Sequence, residues 1–376
     1  MKKRILIDAT NVNITLPGGG SFCTQAYIEA FLRLFPDRVD VLHPAEAHIR
    51  DSRYTTIDVP KRDKTQQFRG IFHGQFHRAG QFIVDYLRTN SEYEMVVIST
   101  GFFAGGIIPQ IASLGIKTVI IHHNFEPEYK LDSRSPLTLY GATDRWIRYW
   151  EKKGYLLSDI NLFLTQQDKL RFESEYGKRE DNYVSGVFEP TSEHQSLLIS
   201  SLSQSAVITC ALSDKQNVNP LIRFRETYLP IFRQELPAWT IHIMGRNPGP
   251  EIIAMNNHEG VEVIPNPENI RSLAAESAIY LCPMDAGGGL KLRIMDGLRA
   301  GQPVLAHARA ARGYDCFEGK PFFLTYDDED SFREGLRAIN HYIQSFDYSR
   351  EAVQSQYYRY FSLESGIERL EAILCK

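Results

Sequence analysis

The chain has 376 residues, 43% hydrophobic and 23% charged, a size and balance that suit two globular domains and exclude a disordered chain. A formal net charge of −4 argues against nucleic acid as a partner. The five cysteines, Cys23, Cys210, Cys282, Cys316 and Cys375, form no CxxC pair, so a disulfide framework or zinc knuckle is not expected and a reducing compartment is.

The start, MKKRILIDATNV, carries an apolar run too short for a secretory leader and reads as a first strand over residues 4–9. No stretch approaches the roughly 20 apolar residues of a membrane-spanning helix. A cytoplasmic protein is expected. Pro17-Gly18-Gly19-Gly20-Ser21 follows the strand and leads into a helix over 22–35. This loop does not fit GxGxxG, so no dinucleotide fingerprint is read. Its glycines either bring backbone close to a ligand or make a plain turn.

Short strands are predicted at 39–42 and 55–59. Residues 61–88 are polar and helix-prone, with Phe68, Ile71, Phe72, Phe76, Phe82 and Ile83 set among basic residues. Such a segment covers a sheet as an ordinary amphipathic helix, the favoured reading, or lies against an anionic membrane surface. The second reading would give peripheral contact with the inner membrane face. Strands follow at 95–98 and 117–121, the latter ending in His122-His123-Asn124-Phe125-Glu126. Polar groups just past the carboxyl end of a parallel strand stand where open α/β sheets bind ligands, and His is suited to proton transfer or to bonding a hydroxyl. His123, Asn124 and Glu126 together favour a functional reading over a purely structural one.

Residues 137–157 read as a helix, 159–164 as a strand, 165–176 as a helix and 183–184 as a short strand. A polar stretch at 189–205 reads as the interdomain linker. The alternation then restarts, with strands at 206–212, 239–244 and 261–264 and helices at 218–232 and 268–276. Lys215 lies in the loop after the first of these strands, and Gly245 and Arg246 after the second. Asn266 follows the third. Asp327-Asp328 reads as a helix cap and not as a metal-binding pair. Helices over 330–345 and 350–374 close the chain. Strand–helix repetition in both halves predicts two doubly wound parallel-sheet domains.

One segment carries the most chemistry. CPMDAGGGLKLRIMDGLRAGQPVL, residues 282–305, reads as strand end, glycine loop, helix, turn and strand. Gly287, Gly288 and Gly289 permit close backbone approach, and a helix opening at Leu290 would present free N–H groups and the positive end of its dipole. Lys291 and Arg293 sit near that opening, where cations do not favour the dipole and a bound anion would explain them. A βα loop with two solvated basic residues is the plainer alternative.

The same segment resembles the GGG-x-R/K-x-K-x-x-E-A-x-x-x-G-x-P-V stretch of GT-B-fold glycosyltransferases, in the retaining group called glycosyltransferase family 4. Lys291, Arg293 and Asp296 stand at its basic residue, Lys and Glu. ALSDKQNVNPLIRF, TIHIMGRNP, HHNFEPEY and LFLTQQDKLRF resemble further family segments in order and spacing. The likeness covers most of the chain and is most specific between Ile279 and Val304.

The resemblance implies a GT-B architecture of two Rossmann-like domains across a cleft. Residues 1–190 would form the acceptor domain, joined by a C-terminal helix at about 350–376, and 191–349 the donor domain. It implies a retaining transferase that moves a sugar from a nucleotide-diphosphate sugar to a glycan or lipid-linked acceptor in polysaccharide synthesis, without metal or other cofactor. Backbone N–H groups at Gly288, Gly289 and Leu290, with Lys291, Arg293 and Lys215, would hold the diphosphate. Asp296 would take the ribose hydroxyls. Gly245, Arg246, Asn247 and Asn266 would border the base, Gly18, Gly19 and Gly20 would close over the donor, and His123 and Glu126 would serve the transferred sugar or the acceptor. The chain departs from the pattern at Gly288, where many members carry a Glu, and in having Asp for Glu at position 296. A nucleotide-sugar 2-epimerase or a non-catalytic GT-B partner subunit remains the alternative.

Overall fold

The computed structural model describes residues 3–16, 18–75, 78–101, 104–125, 127, 140–193, 203–286 and 289–375. They form two compact units, one of Met1–Ser192 with Phe361–Lys376 and one of Glu193–Tyr360.

The first unit is built on β1 (Arg4–Asp8), β2 (Val39–Pro44), β3 (Thr55–Val59), β4 (Tyr93–Ile98), β5 (Lys117–His122), β6 (Ile160–Phe163) and β7 (Asn182–Val184). All pairs are parallel, in the order β3-β2-β1-β4-β5-β6-β7. The second unit holds β8 (Ser203–Thr209), β9 (Thr240–Gly245), β10 (Val261–Pro265), β11 (Ser277–Cys282), β12 (Val304–His307) and β13 (Phe323–Tyr326). Its order, β10-β9-β8-β11-β12-β13, repeats the first, again all parallel. The two doubly wound sheets expected from the alternation are both present. Strands such as β2 and β11 are buried along their whole length, because helices cover both faces of each sheet.

Several helices differ from the sequence reading. The stretch at 61–88 is two helices, Lys64–Phe72 and Gln81–Thr89, separated where Gly74 and Gly80 take positive φ. Ile83 is core, whereas Phe68 and Phe72 are 62% and 57% exposed, so the first helix does not simply cover the sheet. The helix expected at 218–232 is Lys215–Arg223 and Leu229–Glu235 joined by a π turn over Phe224–Tyr228. Pro230 has no N–H and its ring crowds the carbonyl four residues back, so the ladder widens instead of continuing. The helix placed at Leu290 begins at Leu292. Asp328 caps the Glu329–Ile343 helix in a capping box with Ser331.

The long C-terminal helix is also two, Arg350–Phe361 and Leu363–Leu374. Ser362 leaves the helical region at ψ 159° and its hydroxyl accepts from the Ser365 N–H at 3.1 Å, capping the second helix. The break lets Leu363–Leu374 pack on the first unit. Arg369 donates to the Ser185 carbonyl at 2.8 Å, and Gly366 lies against the Phe188 ring, where a Cβ would come within 2.2 Å of a ring carbon. Gly366→Val is expected to lower the unfolding free energy by about 1–3 kcal/mol through overpacking, despite valine's better helix propensity. Chemical denaturation checks this, and an unchanged midpoint and slope would refute the contact.

Candidate functional site

In each sheet the strand order turns back at the first strand, between β1 and β4 and between β8 and β11. At such a switch point the loops leaving the two central strands run to opposite faces, and the carboxyl edge opens as a binding crevice.

In the second unit Cys210 follows β8 and Cys282 ends β11. Arg293, in the first turn of the Leu292–Arg299 helix, acts electrostatically on both thiols. Burial works against its charge, while Cys210, Cys282, Tyr280 and Asp296 favour it, and the balance raises its pKa. Its Nη1 is buried and has no hydrogen-bond partner among the described residues. Burial pushes the Cys210 thiol up to about 11 against the pull of the guanidinium, so the cation is not neutralised by a thiolate. The helix approaches β11 closely because Gly297 meets the Tyr280 ring, where a Cβ would lie 2.6 Å from a ring carbon. The Tyr280 hydroxyl is fixed in turn by Thr209 at 2.5 Å.

Gly289 sits in the loop before this helix with φ +68°, a value that suits glycine. Leu290 follows, half-buried. Lys291 is the N-cap residue, and its side chain makes no capping bond, so the first-turn N–H groups are not satisfied by a cap. The Tyr314 hydroxyl donates to the Lys291 carbonyl at 2.9 Å and pins the turn. Asp296, one turn into the helix, receives Arg299 at 2.7 Å and Arg271 at 3.4 Å on Oδ1.

The remaining residues of the second unit stand on neighbouring carboxyl-end loops. Lys215 opens the Lys215–Arg223 helix after β8 and is exposed. Gly245 ends β9 against the Cys210 carbonyl, where a Cβ would fall 1.7 Å from the oxygen. Arg246 is exposed, and its carbonyl accepts from the Leu212 N–H at 3.0 Å. Asn266, after β10, donates from its backbone to Gly245 at 2.7 Å and accepts the Asn247 N–H on its side chain at 2.9 Å. It therefore clamps the β9 loop with its amide oxygen.

In the first unit Gly18 is the N-cap of the Gly19–Leu34 helix, and Gly18 and Gly19 are exposed. A Cβ on Gly20 would meet Val12 at 3.1 Å. Thr24 of this helix meets Ser99, just past β4, at 3.0 Å, and Ser99 meets the His123 Nε2, just past β5, at 3.3 Å. Burial pushes His123 down to about 4, so its imidazole is neutral near pH 7. His122 is core: it bonds Asn161 at 2.8 Å and stacks on Phe163. Glu126, Gly287 and Gly288 lie outside the described residues.

Two features were missed in the sequence. Asp285, directly before the glycine loop, receives the fork of Arg223, with Nε at 2.6 Å, and ties the loop to the helix after β8. Its place beside the glycines was the available signal. Ser99 at the end of β4 was legible in the same way as His123. Among the described residues no group of three His, Cys, Asp or Glu could hold a metal ion, and no helix is long and apolar enough to cross a membrane.

No family model matches the chain, and no curated protein matches it in sequence. Solved structures do match its fold. HepE of Anabaena, crystallised with UDP, superposes with a TM-score of 0.66 at 13% identity over 99% of both chains. The lipopolysaccharide outer core galactosyltransferase WaaB gives 0.66 at 11% over 99% of both. A glycosyltransferase of Rickettsia africae gives 0.63 at 11%, again over 99% of both. The chain thus has the GT-B fold of two parallel-sheet α/β domains.

The neutral histidines carry a pH signature. His122 and His123 each lie near 4 in the folded chain, below the ordinary 6.5, because burial disfavours their charged forms. As pH falls the unfolded chain takes up protons that the folded chain refuses. Their contribution to stability is full above about 6.5 and is lost as pH falls towards about 4. Denaturation across this window is expected to show that loss, with a shallower slope in His123→Gln; equal slopes would contradict the burial of His123.

Proposed function

We propose that the chain is a glycosyltransferase that uses a nucleoside-diphosphate sugar. The observation that carries this reading is Arg293, whose buried Nη1 lacks a partner at the carboxyl ends of β8 and β11 beside an uncapped helix start. A buried cation at a helix start, where the dipole is positive, suits a diphosphate. The GT-B fold is consistent with it, and HepE, which shares the fold, was crystallised with UDP and with UDP-glucose.

In this reading Gly288, Gly289 and Leu290 offer N–H groups to the diphosphate, and Lys291, Arg293 and Lys215 supply charge. Asp296 accepts a ribose hydroxyl. Gly245, Arg246 and Asn266 border the base, and Gly18, Gly19 and Gly20 approach the donor. The bond from the anomeric carbon to the diphosphate oxygen breaks, the acceptor oxygen bonds that carbon, and the acceptor proton passes to the departing diphosphate. The cations stabilise charge on the departing diphosphate, so no metal is called for in this scheme. His123, a weak base near pH 4, serves as a hydrogen-bonding group to sugar or acceptor and not as a strong proton acceptor. Retention, a glycan or lipid-linked acceptor, a role in polysaccharide synthesis and a cytoplasmic site follow the family resemblance.

UDP and UDP-glucose are expected to raise the melting temperature of the wild type, with GDP-, ADP- and dTDP-sugars as comparisons. Arg293→Ala and Lys291→Ala are expected to abolish the shift. A shift that persists in both variants would overturn the assignment of this loop. Turnover of a nucleotide sugar without acceptor would point to an epimerase instead, and a folded chain that binds no nucleotide sugar would point to a partner subunit.

A further inference from the structure

The first unit contains a polar concavity beyond the carboxyl end of β3, separate from the Thr24, Ser99 and His123 group. It encloses about 910 Å³ between the end of β3, the helices Lys64–Phe72 and Gln81–Thr89, and the Tyr140–Leu157 helix. Its described lining carries Lys61, Arg62, Arg69, Arg78 and Lys153 against one carboxylate, Asp85, an excess of four positive charges (five less one). Glu46, outside the lining, offsets one of these by receiving the Arg78 fork, with Nη1 at 2.6 Å. The lone carboxylate is already engaged, by Arg88 and Gln81 at 3.1 Å each. Arg69 makes no side-chain hydrogen bond or ion pair among the described residues. This concentration of charge stands in a chain whose net charge is −4.

The wall of the concavity is built and not incidental. Gly106 donates to the Gly74 carbonyl at 3.0 Å, and Gly74 lies flat on the Trp150 ring, where a Cβ would fall 2.0 Å from a ring carbon. Trp150 lines the space, is 8% exposed, and keeps a buried Nε1–H with no acceptor among the described residues. Lys153 Nζ stands 4.9 Å from the Trp150 ring centre. Arg62 is held by the Gln75 carbonyl at 2.6 Å, which fixes its guanidinium at the rim. Converging cations, an unsatisfied indole N–H and an aromatic surface are complementary to a multiply charged oxyanion carried on a small polar body.

We propose that this pocket binds a phosphate ester, either soluble or presented as a lipid headgroup. The proposal does not rest on the glycosyltransferase reading, because every residue it uses belongs to the first unit, whereas the glycine loop and Arg293 belong to the second. A phosphate oxygen would receive Arg69 and Lys153, and another would accept the Trp150 Nε1–H.

The test uses the full chain carrying Arg293→Ala, so that anion binding at the glycine loop does not contribute. Glycerol phosphate is titrated against intrinsic tryptophan emission. In parallel, sedimentation is followed with vesicles of pure phosphatidylcholine and of an equal mixture of phosphatidylglycerol and phosphatidylcholine. Saturable binding of glycerol phosphate supports the site and a soluble source. Sedimentation with the mixed vesicles alone, without response to glycerol phosphate, supports the site and a lipid source. In either case Arg69→Ala combined with Lys153→Ala should weaken binding about tenfold or more, since a hydrogen bond to a charged group contributes about 1.5–3 kcal/mol. Arg69→Glu, a change at an exposed position, provides the same reading should the double variant fold poorly. Binding that is absent, or that is unchanged in a correctly folded Arg69→Glu variant, overturns the proposal.

Discussion

A guanidinium with a buried, unpartnered nitrogen is a costly thing for a fold to hold, and the second unit is arranged around holding one. Arg293 is set against two protonated thiols and a phenol, none of which carries a counter-charge, and Asp296, which also acts on it, is already shared by Arg299 and Arg271. A buried cation in this state calls for a counter-charge. Its surroundings follow from that requirement. Gly297 lets the helix come down on Tyr280, Thr209 fixes Tyr280, Gly245 lets the β9 loop pass the Cys210 carbonyl, and the fork of Arg223 on Asp285 anchors the loop that precedes the helix.

The parallel sheets explain why this can happen at a defined place. In the order 3-2-1-4 the two central strands send their chains to opposite faces, which opens the carboxyl edge beside the helices that follow them. The same order in the first unit brings Thr24, Ser99 and His123 together from a helix and two strand ends. Neither group is close in sequence. The strand order, not a local motif, assembles them.

Alternation of apolar strands and amphipathic helices was enough to read two doubly wound sheets from the chain, because buried parallel strands are continuous apolar runs. Helix breaks were less legible. Pro230 and Ser362 act through backbone donors and caps, and a periodic apolar pattern passes across both without interruption. At the site, Lys291 and Arg293 could be placed near a helix start from spacing, and Asp296 was marked by the family resemblance. The capping position of Lys291 could not, since loop backbone at Gly289 sets where the helix begins. Asp285 and Ser99 escaped notice because their partners, Arg223 and His123, are 62 and 24 residues distant. Asn266 reads in sequence as a loop residue after a strand, and its +50° φ and its bond to Asn247 reveal a clamp.

Charge distribution, not total charge, is what separates the two polar centres from the rest of the surface. An acidic chain repels anions at long range, and screening confines that repulsion to about 10 Å at ordinary ionic strength. Within that range local groups decide. Around Arg293 the field comes from few groups in a buried setting, where each acts strongly. In the pocket by Trp150 it comes from several cations in a wetter setting, where each acts weakly and number compensates. The first arrangement favours a ligand that displaces water and fixes its geometry. The second tolerates variation in the ligand beyond its phosphate.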